Sequence, residues 1–111
     1  MPDNMLLGDF ELMVMIAVTR LGDDAFAVPV RRLIEDEADR SVSRGALYTT
    51  LERLERKGLL RSRLGDALSE RGGRPRRYYE PTASGRESLE RTRAALETLW
   101  SGLGRAAGER S

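Results

Sequence analysis

The sequence predicts a mainly α-helical domain carrying one small β-hairpin, and three observations predict it. Apolar residues recur at three- and four-residue steps in three separate stretches. The segment Leu59–Glu80 breaks that rhythm with two short strand-like runs on either side of a turn rich in Gly and Arg. Gly, Pro or Ser stands where each helical stretch begins or ends. At 111 residues, with no internal repeat, low-complexity segment or Pro- and Gly-rich linker, the chain is expected to hold a single core.

The first helix is expected over Leu6–Leu21. Phe10, Met13, Val14, Ala17 and Leu21 form an apolar stripe that Met15, Ile16 and Val18 widen, so this helix should be buried on more than one side. Gly22-Asp23-Asp24 ends it. Pro29 suits the first turn of a second helix running to about Ala38, where its missing N–H costs nothing. Asp39–Val42 makes a short connection, Ser43 is placed to cap a third helix through Lys57, and Gly58 ends that helix. In this third helix Leu47, Leu51 and Leu54 make the core stripe. The outer side carries Arg44, Tyr48, Thr49, Glu52, Arg53 and Arg56.

Leu59–Leu64 reads as a strand, Gly65–Pro75 as a loop and Arg76–Glu80 as the returning strand. Pro81-Thr82 precedes a last helix in which Leu89, Leu96 and Leu103 repeat every seven residues, with Leu99 and Trp100 on the same side. Such a seam needs a partner to bury it. The tail from Gly104 is expected to fray. The boundaries are therefore a three-helix-plus-hairpin unit over 1–81, a dimerisation helix over 82–104 and a flexible tail over 105–111.

Composition removes most alternatives. The chain has no cysteine and no histidine, so disulfides, thiolate metal sites, the commonest zinc ligand and the commonest general base are all missing. No serine or threonine has a histidine to activate it, and no enzymatic activity is expected. The acidic run Glu35-Asp36-Glu37 with Asp39 points its carboxylates in different directions around a helix and reads as a solvated face, not a metal site. Gly72-Gly73 is followed by neither Gly-Lys-Ser/Thr nor a helix, which removes a phosphate-cradling loop. The longest apolar run, Leu12–Val18, is far too short to span a membrane and the N-terminus lacks a basic secretory start, so a cytoplasmic protein without membrane association or cofactor is expected.

Net charge is +1, but its distribution is uneven. Residues 1–39 carry three basic against nine acidic side chains, residues 40–77 eleven against four, and residues 78–111 five of each. A basic middle inside a near-neutral chain is the footprint of a surface that binds a polyanion. Two helices joined by a short turn, the second basic on its outer side, suit a helix-turn-helix whose recognition helix enters the major groove, and the hairpin completes a winged helix-turn-helix plan.

The segment Ser43-Arg44-Gly45-Ala46-Leu47-Tyr48-Thr49-Thr50-Leu51-Glu52-Arg53-Leu54-Glu55-Arg56-Lys57-Gly58-Leu59-Leu60 resembles the PadR family of transcription regulators. So does Gly73-Arg74-Pro75-Arg76-Arg77-Tyr78-Tyr79 with Thr82 and Gly85. Ala25-Phe26-Ala27-Val28-Pro29-Val30 resembles the family's entry into the second helix, with Phe26-Ala27 where Tyr-Gly is frequent. The resemblance spans roughly Leu6–Leu103. It implies a homodimer of the short type that represses genes for detoxification, efflux or phenolic-acid metabolism, in some members with release by a hydrophobic or aromatic ligand.

On that reading double-stranded DNA is the partner, met by Ser43, Arg44, Tyr48, Thr49 and Arg53 of the third helix and by Arg74, Arg76 and Arg77 of the wing. Hydroxyls can bond phosphate oxygens, the Tyr48 ring can meet a thymine methyl, and arginine can reach bases or backbone. Phe10, Leu89, Leu96, Leu99, Trp100 and Leu103 are the dimer candidates. Met13, Met15, Leu96 and Trp100 are the candidates to line an effector pocket, with packing as their alternative role. Two rival readings stand beside this one: a winged-helix adaptor that docks on protein, and a constitutive DNA-binding regulator with no ligand.

Overall fold

The computed structural model describes residues 6–65 and 75–110, with side chains through Arg105. It is mainly helical: α1 (Asp9–Leu21), a 3-10 turn (Gly22–Asp24), α2 (Ala27–Ala38), α3 (Arg44–Arg56), β1 (Leu60–Leu64), β2 (Arg77–Pro81) and α4 (Ala83–Arg110). α1 starts three residues later than the apolar pattern predicts. Gly8 is its extended N-cap, and the Gly8 N–H donates to the Glu11 carboxylate at 3.1 Å. The Leu7 N–H donates instead to the Thr92 hydroxyl of α4 at 3.1 Å, which ties Leu7 to that helix.

Local chemistry sets the other boundaries. Pro29 falls in the first turn of α2, and Asp39 ends that helix in the left-handed region at φ 51°. The Ser43 hydroxyl accepts the Ala46 N–H at 3.1 Å and caps α3. Gly58, at φ 79°, turns the chain from α3 into β1, a conformation in which any other residue would be strained. β1 and β2 pair antiparallel, Leu60 opposite Pro81 through Leu64 opposite Arg77. The Tyr79 N–H donates to the Ala25 carbonyl at 2.9 Å, which ties β2 to the entry of α2.

Val14, Met15, Val18, Val30, Leu47, Leu51, Leu54, Leu59 and Leu60 fill the core. α4 is seated on it through small residues, not through its leucines. Gly85, Ser88 and Thr92 are buried, Leu89 is half-buried against the core, and the rest of the apolar seam is exposed. The Thr82 hydroxyl donates to the Gly58 carbonyl at 2.6 Å and accepts the Gly85 N–H at 3.0 Å, so one side chain caps α4 and joins it to the end of α3. The helix does not stop at Gly104. Arg105, Ala106, Ala107 and Glu109 are strong helix formers, and α4 runs through the segment expected to fray as far as Arg110.

Candidate nucleic-acid interface

Leu47, Thr50, Leu51 and Leu54 turn one side of α3 into the core, which leaves Gly45, Thr49, Glu52 and Arg56 opposite them at about 100° per residue. Arg44 and Tyr48, one turn apart, share one flank of that exposed side. Tyr48 opens onto a groove of about 410 Å³ whose walls include Phe26, Val28, Leu64, Arg76 and Arg77. Ser43 is exposed, with its hydroxyl engaged by the cap. Arg53 lies on the other flank, against α1, where its guanidinium is 3.9 Å from the Glu11 carboxylate. The structure therefore separates Arg53 from Tyr48, although the sequence pattern groups them.

Glu11 is the hub of that second flank. Its carboxylate also accepts Lys57 Nζ at 2.9 Å. Burial alone pushes the Glu11 carboxyl up, but the hydrogen bonds from Lys57 and the Gly8 amide and the charges of Lys57 and Arg53 outweigh it and hold the group below its ordinary range. Arg53 and Lys57 thus spend their charge inside the molecule.

In the wing, pleating sends neighbouring arginines to different sides. Arg77 donates to the Ser62 hydroxyl at 2.9 Å, and Ser62 in turn donates to Glu55 of α3 at 2.8 Å. Arg76, half-buried, lies over the Phe26 ring at 4.1 Å. Tyr78 meets the same ring edge-on at 5.5 Å and carries Arg63 on its own face at 4.9 Å. Arg74 lies outside the described residues.

Ion pairing sorts the cations. Arg20 is held by Glu37, Arg31 by Glu35, Arg40 by Asp9, Arg61 by Glu80, and Arg93 by Glu90 and Glu97. Among the described residues Arg32, Arg44, Arg56, Arg63, Arg76, Arg77, Arg86, Arg91 and Arg105 have no carboxylate in ion-pair contact; the last three lie on α4, and of the others Arg32, Arg44, Arg76 and Arg77 sit around α2, the start of α3 and the wing root. Arg32 shares a groove of about 440 Å³ with Phe26, Pro29 and Arg76. Arg32 and Phe26 line this groove and are not among the candidate site residues that the sequence pattern picks out. The four-residue step from Val28 to Arg32 on α2 is the signal that could have found the first. Glu35, from the acidic run, accepts the Val42 N–H at 3.1 Å and so orders the connection into α3.

The dimer and effector candidates divide. Leu96, Leu99, Trp100 and Leu103 are exposed, Leu99 and Trp100 by more than 70%. Phe10 is half-buried beneath Arg40, whose guanidinium is 4.9 Å from its ring centroid. Met13 lines a shallow groove of about 190 Å³ between α1 and α2 with Ile16, Leu33 and Ile34. Met15 differs from the expectation: it is fully buried among the core residues, with its methyl group against α4 at Gly85, and it lines none of the grooves named above. No wall of the Met13 groove comes from α4, so one chain does not bring Met13 together with Leu96 and Trp100. Among the described residues no helix is long and apolar enough to cross a membrane, and no acidic cluster is arranged to hold a metal.

Residues 20–91 match the family model described as the transcriptional regulator PadR-like family. The transcriptional regulator Rv3488 of Mycobacterium tuberculosis is 50% identical over 60 residues, 52% of this chain; the match spans about half the length of that relative. Among solved structures, a PadR-like transcription factor from Bacteroides fragilis is 26% identical at a TM-score of 0.66, covering 92% of this chain and 89% of that one. A PadR-like transcriptional regulator from Bacillus cereus superimposes at a TM-score of 0.73 and 20% identity over 95% of this chain and 97% of that one, a likeness of fold.

Proposed function

The chain belongs to the PadR-like family of transcriptional regulators, and from that premise we propose that it binds duplex DNA as a homodimer and represses transcription without catalytic activity of its own. Residues 1–81 form the DNA-binding unit, residues 82–104, which include most of α4, carry the dimer contact, and the protein works in the cytoplasm beside its DNA. The observation that carries this reading is that Arg76 and Arg77 line the Tyr48 groove, Arg32 lines the groove that adjoins it through Phe26, Val28 and Arg76, and Arg44 lies one helical turn from Tyr48, none of the four paired with a carboxylate among the described residues. Cations left unpaired at one surface are available to phosphates, while Tyr48, Thr49 and Arg44 face outward for base edges or backbone.

The exposed Leu96, Leu99, Trp100 and Leu103 support pairing of α4 across a twofold axis. An aromatic or hydrophobic effector would enter at that interface, with Trp100 as its stacking partner.

The test is retardation of a duplex that the protein itself selects from a random-sequence pool. Affinity is expected to fall with salt at a slope near −0.9 per phosphate neutralised. Tyr48→Ala and Arg44→Ala should each weaken it about tenfold. Selection of no duplex at low salt would refute the reading, and unchanged affinity in both variants would favour the protein-docking adaptor.

A further inference from the structure

We infer that Phe26 is a positioning residue for DNA binding: its ring is the platform that holds the Arg76 guanidinium in place at the root of the wing. This rests on the DNA-binding reading above. Phe26 is the extended N-cap residue of α2, yet nothing in its side chain caps that helix. Its ring is instead taken up on two sides, by the Arg76 guanidinium at 4.1 Å and by the Tyr78 edge at 5.5 Å.

The stack has built-in support from the backbone. The Tyr79 N–H to Ala25 bond, 2.9 Å, fixes the height of β2 beside Phe26, and the Gly65 N–H to Arg76 carbonyl bond, 2.7 Å, fixes Arg76 across the hairpin. Tyr78 occupies the space over Gly65, where an added Cβ would meet its ring at 2.6 Å, so Gly65 is what lets the ring lie there. Three elements thus converge on the geometry of one arginine.

The chemistry suits an arginine meant for a phosphate. All five N–H donors of guanidinium lie in its plane, so a guanidinium lying flat on the Phe26 ring, with Cζ 4.1 Å from its centroid, would use none of them there and keep its edge open for two parallel bonds to phosphate oxygens. Among the described residues no hydrogen-bond acceptor holds Arg76. A long side chain already fixed by an aromatic surface loses less freedom when it binds. Arg76 also lines both grooves at this surface, with Tyr48 in one and Arg32 in the other, which places it between α2 and α3 where a backbone strand would pass.

The experiment measures binding to the duplex selected by the wild-type protein at several salt concentrations. Arg76→Ala is expected to weaken binding about tenfold and to reduce the salt slope by about 0.9 per protomer. Phe26→Leu, which keeps an apolar side chain but removes the ring, should weaken it about threefold to tenfold, and Phe26→Tyr should stay within about twofold of wild type. Adding Phe26→Leu to Arg76→Ala should cost no more than about twofold further, since a platform has no effect once its passenger is gone. Arg76→Lys, which keeps the charge and loses the planar guanidinium, should behave like Phe26→Leu.

Equal losses from Phe26→Leu with and without Arg76, or wild-type affinity in Arg76→Lys, would overturn the inference while leaving DNA binding intact. A wild-type protein that selects no duplex would overturn both.

Discussion

Gly85→Ala is expected to destabilise the fold by about 3 kcal/mol and to lower its melting temperature by roughly 15 °C in a circular-dichroism melt. The reason is contact with backbone. A Cβ at residue 85 would lie 2.0 Å from the Leu59 carbonyl oxygen and 3.0 Å from the Met15 methyl, in the seam where α4 crosses the end of α3. Neither neighbour can yield: Leu59 is fixed by its carbonyl's bond to the Thr82 N–H at 3.1 Å, and Met15 is fully buried. α4 would have to lift, which also breaks the Thr82 bridge between Gly58 and Gly85. Alanine's better helix propensity recovers only about 1 kcal/mol. The same substitution at Gly45 is the control. A Cβ there meets nothing within 4 Å, so Gly45→Ala should leave the melting temperature unchanged or raise it by a few degrees. An unchanged melt for Gly85→Ala would show that α4 is not seated as described.

Leu99→Ala combined with Trp100→Ala is expected to convert the proposed dimer to a monomer in sedimentation velocity at micromolar concentration, and to weaken DNA binding by about a hundredfold or more. Both side chains are over 70% exposed on the chain alone, so neither contributes to its own core, and the variant should melt as a folded monomer. Burial of side chains this large is worth roughly 1.5–3 kcal/mol each, and a twofold axis counts every loss twice. The effect on DNA follows because two joined half-site contacts bind far more tightly than one. A variant that sediments and binds as the wild type does would remove α4 from the interface.

What the sequence made legible was local. Ser43, Gly58 and Pro29 act within a turn of themselves, so a capping hydroxyl, a left-handed glycine and a missing N–H could be read in place and the order of elements followed. The seat of α4 could not be read the same way. The heptad Leu89, Leu96, Leu103 marks an apolar seam, but the helix meets its own core mainly through Gly85, Ser88 and Thr92, whose value lies in how closely they let two backbones approach. Small residues carry no hydrophobic signal.

The candidate site divides on the same line. Tyr48, Arg44 and Thr49 are exposed on α3 as helical periodicity requires. Arg53 is turned toward α1 because Glu11, remote in sequence, supplies a carboxylate there. Arg76 and Arg77, adjacent in the chain, take different partners because strand pleating separates them, and Phe26 becomes relevant only because β2 returns beside Ala25. Helical and strand spacing hold the divergence of Arg53 from Tyr48 and of Arg76 from Arg77, but the partners that Glu11 and Phe26 supply are non-local and leave no trace in spacing or composition.

The most direct test of the DNA-facing surface is an amide chemical-shift map of the isotope-labelled protein titrated with its selected duplex. With this surface against the duplex, the largest perturbations are expected at Arg44, Gly45, Tyr48 and Thr49, at Phe26 and Arg32, and at Arg76, with little change around Glu37 and Asp36. Perturbations concentrated on the Arg20–Glu37 side, with the first two turns of α3 silent, would contradict that placement.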